Sequence, residues 1–536
     1  MRAFRVSVET PTSEPRAPTP AEAPHLPGGC EQTPAGHIGS ADGTPAATTA
    51  TASLPRARLP WLRARLPWLI AWLALLPIAL VRASLLAESD TFWEIRIGQL
   101  ILHTGRIPVA DSFSWWARGR PWTPNSWAFD LLLAIGYRAG GLPAVALIGG
   151  AFVMAAGGAV LLLARRLGAT APVAGPLVIA GSVGSIGWLS VRPQLVDYIA
   201  VPLLLLVIAR AGPALRARSL LIIAVIEAVW VNLHVAAPLG IVVVLCAGLG
   251  AQISALLALP ADARRRMLPR AAVTATAPAL AALAGTLANP GGLAIIQQLR
   301  DVSSSSAGLI AEWQHISLTS PDQMAMLGAG VLATAIAARR GWWDLALVLG
   351  MLAASAAYVI RMLPILDVVA VAVLAAALDG PRLRAWASGY RPILRLGAAA
   401  AVAALAVQAA ISLPDLGNTV YPAGSISALP SGCRLFNAYP LGGIVILLRP
   451  DVPVSIDSRN DLYGRQDVLA EQRILTASSG GPGSLQRLGV NCVLIPGNSG
   501  LARQLLRSPG WRQVTTNPAA TVFLRRDLGG SSGAGH

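Results

Sequence analysis

The chain contains no lysine; all 42 of its basic residues are arginine. Charge of either sign is scarce, at 13% of 536 residues, where a soluble globular chain carries about 25%. Hydrophobic residues make up 54%, so the composition is that of a multi-pass membrane protein. The formal net charge of +16 does not point to nucleic acid. The arginines fall in short clusters between apolar runs, the pattern that orients membrane helices, and no basic domain lies outside them. Arginine in place of lysine, with abundant Ala, Gly and Pro, reflects a GC-rich genome more than function. Cysteine is also rare, with four residues at 30, 246, 433 and 492. None has the CxxC or Cys/His spacing of a zinc site. A Cys433–Cys492 disulfide and two free thiols are equally open readings. There is no Walker A motif and no GxSxG elbow, which argues against ATP-driven transport and serine hydrolysis. In "GGIVILL" the glycine pair precedes the apolar run, the wrong order for a dinucleotide fingerprint, so no nucleotide cofactor is expected.

What is present divides the chain into four parts. Residues 1–55 are rich in Pro, Ala, Thr and Gly, and are expected to form a disordered cytoplasmic tail. No apolar segment opens the chain as a signal peptide would. Arg56, Arg58, Arg63 and Arg65 precede the first apolar run and place that end in the cytoplasm. Residues 56–412 are expected to form an α-helical membrane domain of about eleven spans. These are read at 67–87, 142–164, 170–190, 194–211, 218–233, 235–258, 270–288, 322–338, 342–359, 362–380 and 393–412. The arginine clusters then alternate correctly, and the odd count puts the C-terminus outside. Ser126–Gly141 is too short to span and reads as an interfacial helix that Gly140 and Gly141 terminate. It belongs to a first outer loop at 88–141. Residues 413–527 read as a small extracytoplasmic α/β domain. Its strands are expected in "RLFNAYPLGGIVILL", "VPVSIDSR", "NCVLIPG" and "TVFLRR", and its helices at Arg465–Ala477 and Leu501–Arg507. Residues 528–536 form a second disordered tail.

The unusual polar residues all fall on the expected outer side, where polar groups at membrane depth line cavities. In "ESDTFWEIRIGQLILHTGRIPVADSFSWWARGRPW" (88–122), Asp90 and Glu94 stand i,i+4 on one helix face. They can supply a general base or bind a divalent cation. For Glu94 a capping box with Thr91 competes. Asp111 can bind substrate or close an Asx-turn. The loop tryptophans read first as interfacial anchors. His234, next to Asn232 at a span end, can touch phosphate, transfer a proton or be structural. Arg192 and Arg361 are lone arginines at outer helix ends, suited to phosphate or to snorkelling. Glu312 and His315 are loop candidates without a fixed partner. Glu227 and Asp197 must each pair or face a cavity. Asp457, Arg459 and Asp461 read first as an internal ion-pair cluster.

Together these stretches resemble the GT-C superfamily of membrane glycosyltransferases. More closely, they resemble a set of bacterial multi-pass proteins with an early Asp-Trp pattern, then G-x-I-P-x-x-D-x-F-S and G-x-x-W. The matching segments are 88–122, "RPQ" (192–194), "WVNLH" (230–234), "NPGG" (289–292), "EW" (312–313) and "IDSRNDLYG" (456–464), across most of 67–527. The resemblance implies a bacterial plasma-membrane protein that moves a sugar from a polyprenyl-phosphate donor to an extracytoplasmic glycan, lipid or protein. It implies Asp90 as the residue that acts as base or organises the acceptor and any metal. Basic groups such as Arg192 would hold the lipid phosphate. Arg192 stands where GT-C enzymes often place a second acid, and Glu94-Ile95-Arg96 replaces the family's loop histidine. The competing functions are a flippase for such lipids, which internal repeats would mark, and a non-catalytic envelope-assembly protein on the same fold.

Overall fold

The computed structural model describes residues 60–526 except 213–215, 382–384, 386–388, 390 and 479. The expected tails at 1–55 and 528–536 lie outside the described residues. Helices α1 (Pro60–Leu73) and α2 (Leu76–Ser84) lead into α3 (Ser89–Thr104). Then follow α4 (Trp127–Arg166), α5 (Ala171–Gly184), α6 (Asp197–Ala211), α7 (Ala217–Leu233), α8 (Pro238–Leu257) and α9 (Ala261–Thr286). The bundle continues through α10 (Ala294–Ser306), α11 (Pro321–Arg339), α12 (Trp343–Tyr358), α13 (Leu363–Leu378) and α14 (Arg391–Ser412).

Ten of the eleven apolar segments expected to span each overlap one of these helices, while 67–87 is divided between α1 and α2 and ends in an extended pair, Leu85–Leu86. Six of the described helices are long and apolar enough to cross a membrane: Ala64–Ser84, Trp127–Arg166, Pro193–Ala211, Pro238–Leu257, Ala261–Thr286 and Ile360–Leu378. The others are shorter or more polar, as with the 14 residues of α5 and the 16 of α12. The expected break at the glycine pair is present. Within the 40-residue α4, Gly140 (φ −160°) and Gly141 (φ 62°, ψ −154°) leave helical geometry. The positive φ at Gly141 is one that a side chain with a Cβ rarely tolerates. Pro143 restarts the helix just beyond it.

The C-terminal part holds a four-stranded sheet in the order β3-β4-β6-β5, with β3 (Leu435–Asn437), β4 (Cys492–Ile495), β5 (Trp511–Gln513) and β6 (Thr521–Arg525). β3 and β4 are parallel, and β6 runs antiparallel to both β4 and β5. Cys433 and Cys492 form a disulfide with Cα atoms 6.0 Å apart, tying the chain before β3 to β4. A separate two-stranded parallel ladder, β1 (Leu85–Leu86) with β2 (Asn418–Thr419), joins the end of α2 to the segment after α14.

Two expected strands are corrected. "GGIVILL" is a buried helix, Gly442–Leu448, packed on α3. An apolar run without polar interruptions has no period to separate a buried strand from a buried helix. The choice is tertiary. A Cβ at Gly443 would stand 2.1 Å from the Ser89 carbonyl oxygen, so glycine lets this helix press on the first turn of α3. "VPVSIDSR" forms no strand; its residue Val454 makes a single parallel bridge to Ser114.

A second helix of this part, Asn460–Leu475, buries Glu471, which accepts a hydrogen bond from the Tyr439 amide at 3.3 Å. Burial pushes this carboxyl up to about 7. The folded chain therefore keeps a proton that the unfolded chain loses in the ordinary glutamate range near pH 4.3. Stability falls as pH rises between those values and stays reduced above pH 7, by an order of 3 kcal/mol at about 1.36 kcal/mol per pH unit. Glu471→Gln keeps the acceptor for the Tyr439 amide. It is expected to raise the unfolding temperature at pH 8 and to change it little near pH 4.5. Equal shifts at both pH values in a detergent-solubilised thermal melt would contradict this account.

Candidate functional site

A cleft of about 1100 Å³, counting the open space at its mouth, lies where the start of α3 meets the loops before α6 and α13 and the Asn460–Leu475 helix. Its lining includes Glu88, Asp90, Glu94, Arg192, Gln194, His234, Glu312, Trp313, Arg361, Tyr439 and Ser458. Six of the eight residues expected in the site therefore meet in one place, although they span 272 positions of sequence, from Asp90 to Arg361.

Asp90 sits in the first turn of α3, which begins at Ser89. That start corrects the capping-box reading. Thr91 is already helical and donates to the Val191 carbonyl at 2.7 Å, and no side chain caps the helix. Glu94 is freed from capping and buried at 2% exposure, with Oε2 unpaired among the described residues. Burial, followed by the Asp130 and Asp90 carboxylates, pushes its pKa well up.

Arg192 is the centre of the cleft. Its guanidinium lies 2.6 Å from Glu312, 3.1 Å from Asp90 and 3.7 Å from Glu88. Burial works against that charge, but the carboxylates of Asp90, Glu312 and Glu88 outweigh it and raise the arginine's pKa. Arg361 reaches the other oxygen of Glu312 at 2.8 Å and donates to the Gln194 side chain at 3.0 Å. Burial alone would raise the Glu312 carboxyl, yet Arg192 and Arg361 hold it below its usual range. Trp93 Nε1 bridges Asp90 (3.3 Å) and Ser458 (3.0 Å), fixing the carboxylate against the C-terminal part.

His234 caps the end of α7 and is buried. Its Nδ1 is 2.7 Å from Asp197 Oδ1, and that oxygen also accepts from Trp230 Nε1 at 2.7 Å. A carboxylate only accepts, so Nδ1 carries the proton and Nε2 is left for a group entering the cleft that the ring lines. Asp197, whose role the sequence left open, is thus the partner that orients the histidine.

Two expected site residues are elsewhere. Asp111 is buried outside the cleft lining. It closes the turn by accepting from the Ser114 amide and hydroxyl, at 3.0 and 2.7 Å, and pairs with Arg459 at 2.8 Å. The turn and a buried ion pair use up its acceptors. His315 stacks edge-on against Tyr358 and bonds the Tyr358 carbonyl at 2.8 Å, so its ring is engaged away from the cleft. Residues that the sequence did not nominate are Glu88, Gln194, Tyr439 and Ser458. Glu88 and Gln194 stood inside quoted motifs beside nominated residues. Nothing in the pattern marked Tyr439.

No protein-family model matches the chain, and no curated protein matches it. Among solved structures it is similar to the Archaeoglobus fulgidus oligosaccharyltransferase in its apo form. The TM-score is 0.55 at 14% identity, over 81% of this chain and 70% of that one.

The sequence leaves a divalent cation beside Asp90 open, but the residues do not fit one. The Arg192 guanidinium fills the space between the carboxylates. With Arg192 standing among Glu88, Asp90 and Glu312, no three His, Cys, Asp or Glu side chains among the described residues are grouped to hold an ion. At 14% identity the likeness speaks for the fold alone: the chain is a mostly helical protein that shares the fold of this oligosaccharyltransferase, and six of its described helices are long and apolar enough to cross a membrane.

Proposed function

We propose that the chain is a glycosyltransferase that moves a sugar from a polyprenyl phosphate to an acceptor hydroxyl on the extracytoplasmic face of a bacterial plasma membrane. The observation that supports this most is the cleft itself. At one end of a bundle of apolar helices it gathers two arginines, Asp90 and a carboxylate-aligned histidine. A lipid phosphate is a competent leaving group, so no nucleotide is needed. In the step proposed, the acceptor oxygen bonds to the anomeric carbon as the bond from that carbon to the phosphate oxygen breaks. The electron pair leaves on the lipid phosphate, which Arg361 and Arg192 stabilise. The acceptor proton passes to His234 Nε2. Asp90 holds Arg192 and lines the acceptor side of the cleft. The eleven-span topology, with the C-terminal part outside the cytoplasm, belongs to the same proposal.

The test is turnover in proteoliposomes loaded with radiolabelled polyprenyl-phosphate sugars, read as release of free polyprenyl phosphate. Binding is followed in parallel by quenching of tryptophan emission, since Trp93 and Trp313 line the cleft. Release by the wild-type chain that Asp90→Asn abolishes supports the reading. Neither release nor quenching with any lipid-linked sugar would sink it.

A further inference from the structure

The structure assigns Arg192 the place of a built-in cation: its guanidinium does in this cleft what a bound divalent metal would do between the same carboxylates. Three carboxylates reach it from two segments, Glu88 and Asp90 at the start of α3 and Glu312 from the loop after α10. A magnesium or calcium ion shared by Asp90 and Glu312 would lie about 2.0–2.6 Å from an oxygen of each. Arg192 nitrogens already stand 3.1 Å and 2.6 Å from those two carboxylates. An ion placed there would overlap a buried guanidinium of the same sign.

By charge, two guanidiniums face three carboxylates and one negative charge is left over. Arg192 and Arg361 together bring the two positive charges of one divalent ion to Glu88, Asp90 and Glu312. The position is also built rather than incidental. Arg192 is only 12% exposed in its side chain, and its pKa is driven up, so the charge cannot be titrated away. Arg361 is held in turn by Gln194, two residues after Arg192. A guanidinium on a fixed stem differs from an ion in one consequential way: it cannot be exchanged, chelated or lost.

The inference concerns the cation of the cleft and stands apart from the transferase reading, so its test uses metal binding and melting rather than turnover. Purified full-length protein in detergent is titrated with Mn²⁺, and the free ion is followed by electron paramagnetic resonance. The wild-type chain is expected to bind no more Mn²⁺ than the Asp90→Asn variant. One Mn²⁺ per chain, lost in Asp90→Asn, would overturn the proposal. Arg192→Ala leaves the three carboxylates facing each other without their common partner. In a thermal melt, Mn²⁺ is expected to raise the unfolding temperature of Arg192→Ala by several degrees. It should raise neither the wild type nor an Arg192→Ala/Glu312→Gln double variant. An equal Mn²⁺ effect on all three would count against a cation position. If Arg192→Ala does not fold, the wild-type titration decides alone.

Discussion

Arg459→Met is expected to destabilise the protein by about 3–5 kcal/mol, the usual cost of removing one partner from a buried ion pair. Arg459 is 2% exposed. It makes two hydrogen bonds to Asp457, at 2.8 and 2.6 Å, and reaches Asp111 at 2.8 Å. Its guanidinium lies 4.7 Å from the centre of the Trp122 ring and 5.4 Å from that of Phe113. Methionine can replace much of the stem's packing, but it leaves Asp111 and Asp457 as two buried anions with no counter-charge. The damage reaches the cleft because Arg459 is the rivet between the loop after α3 and the C-terminal part. Beside it, Trp122 Nε1 donates to Asp461 at 2.9 Å, and Trp93 Nε1 donates to Ser458. The measurement is the unfolding midpoint in detergent for Arg459→Met and for the triple variant with Asp111→Asn and Asp457→Asn. The triple variant is expected to recover much of the loss, since neutral partners carry no unpaired charge. A single variant within 1 kcal/mol of wild type would show that the ion pair does not lock the loop.

His234→Gln is expected to slow transfer by about 10²–10⁴-fold, the range that a positioned general base contributes. The donor should still bind, because Arg192 and Arg361 are untouched. Asp197→Asn is the sharper variant. Asp197 Oδ1 faces both Trp230 Nε1 and His234 Nδ1, so an amide oxygen in its place keeps both hydrogen bonds but removes the negative charge. The imidazolium that forms when Nε2 takes the acceptor proton then loses the carboxylate that stabilises it. The expected result is a fall in kcat with little change in the donor KM, and a melting temperature that stays closer to wild type than that of Arg459→Met. Full turnover in His234→Gln would remove the histidine from the mechanism and return the proton to Asp90. A rise in donor KM without a change in kcat would make His234 a binding residue instead.

Much of the membrane part was legible in the sequence. Apolar runs of about 20 residues between arginine clusters carry their own secondary structure, because a chain in lipid must satisfy its backbone hydrogen bonds internally. Ten of the eleven segments read as spans each overlap one helix, 67–87 is split between two, and the glycine pair at 140–141 breaks α4 where the pattern said it would. The polar residues were legible as a set, since isolated Asp90, Arg192, His234, Glu312 and Arg361 stand out against apolar neighbours. Tertiary structure alone decided what they do. Asp197 becomes the orienting partner of His234 only because α6 and α7 pack together. Asp111, so similar in sequence to a site residue, is consumed by Arg459, 348 positions away. Glu94 turned from cap to cleft residue because α3 starts at Ser89, before the threonine that was expected to cap it. "GGIVILL" became a helix because glycine allowed it against Ser89. Local pattern sets backbone hydrogen bonding in the apolar runs. Which carboxylate meets which arginine depends on long-range packing, for which one sequence has no period to read.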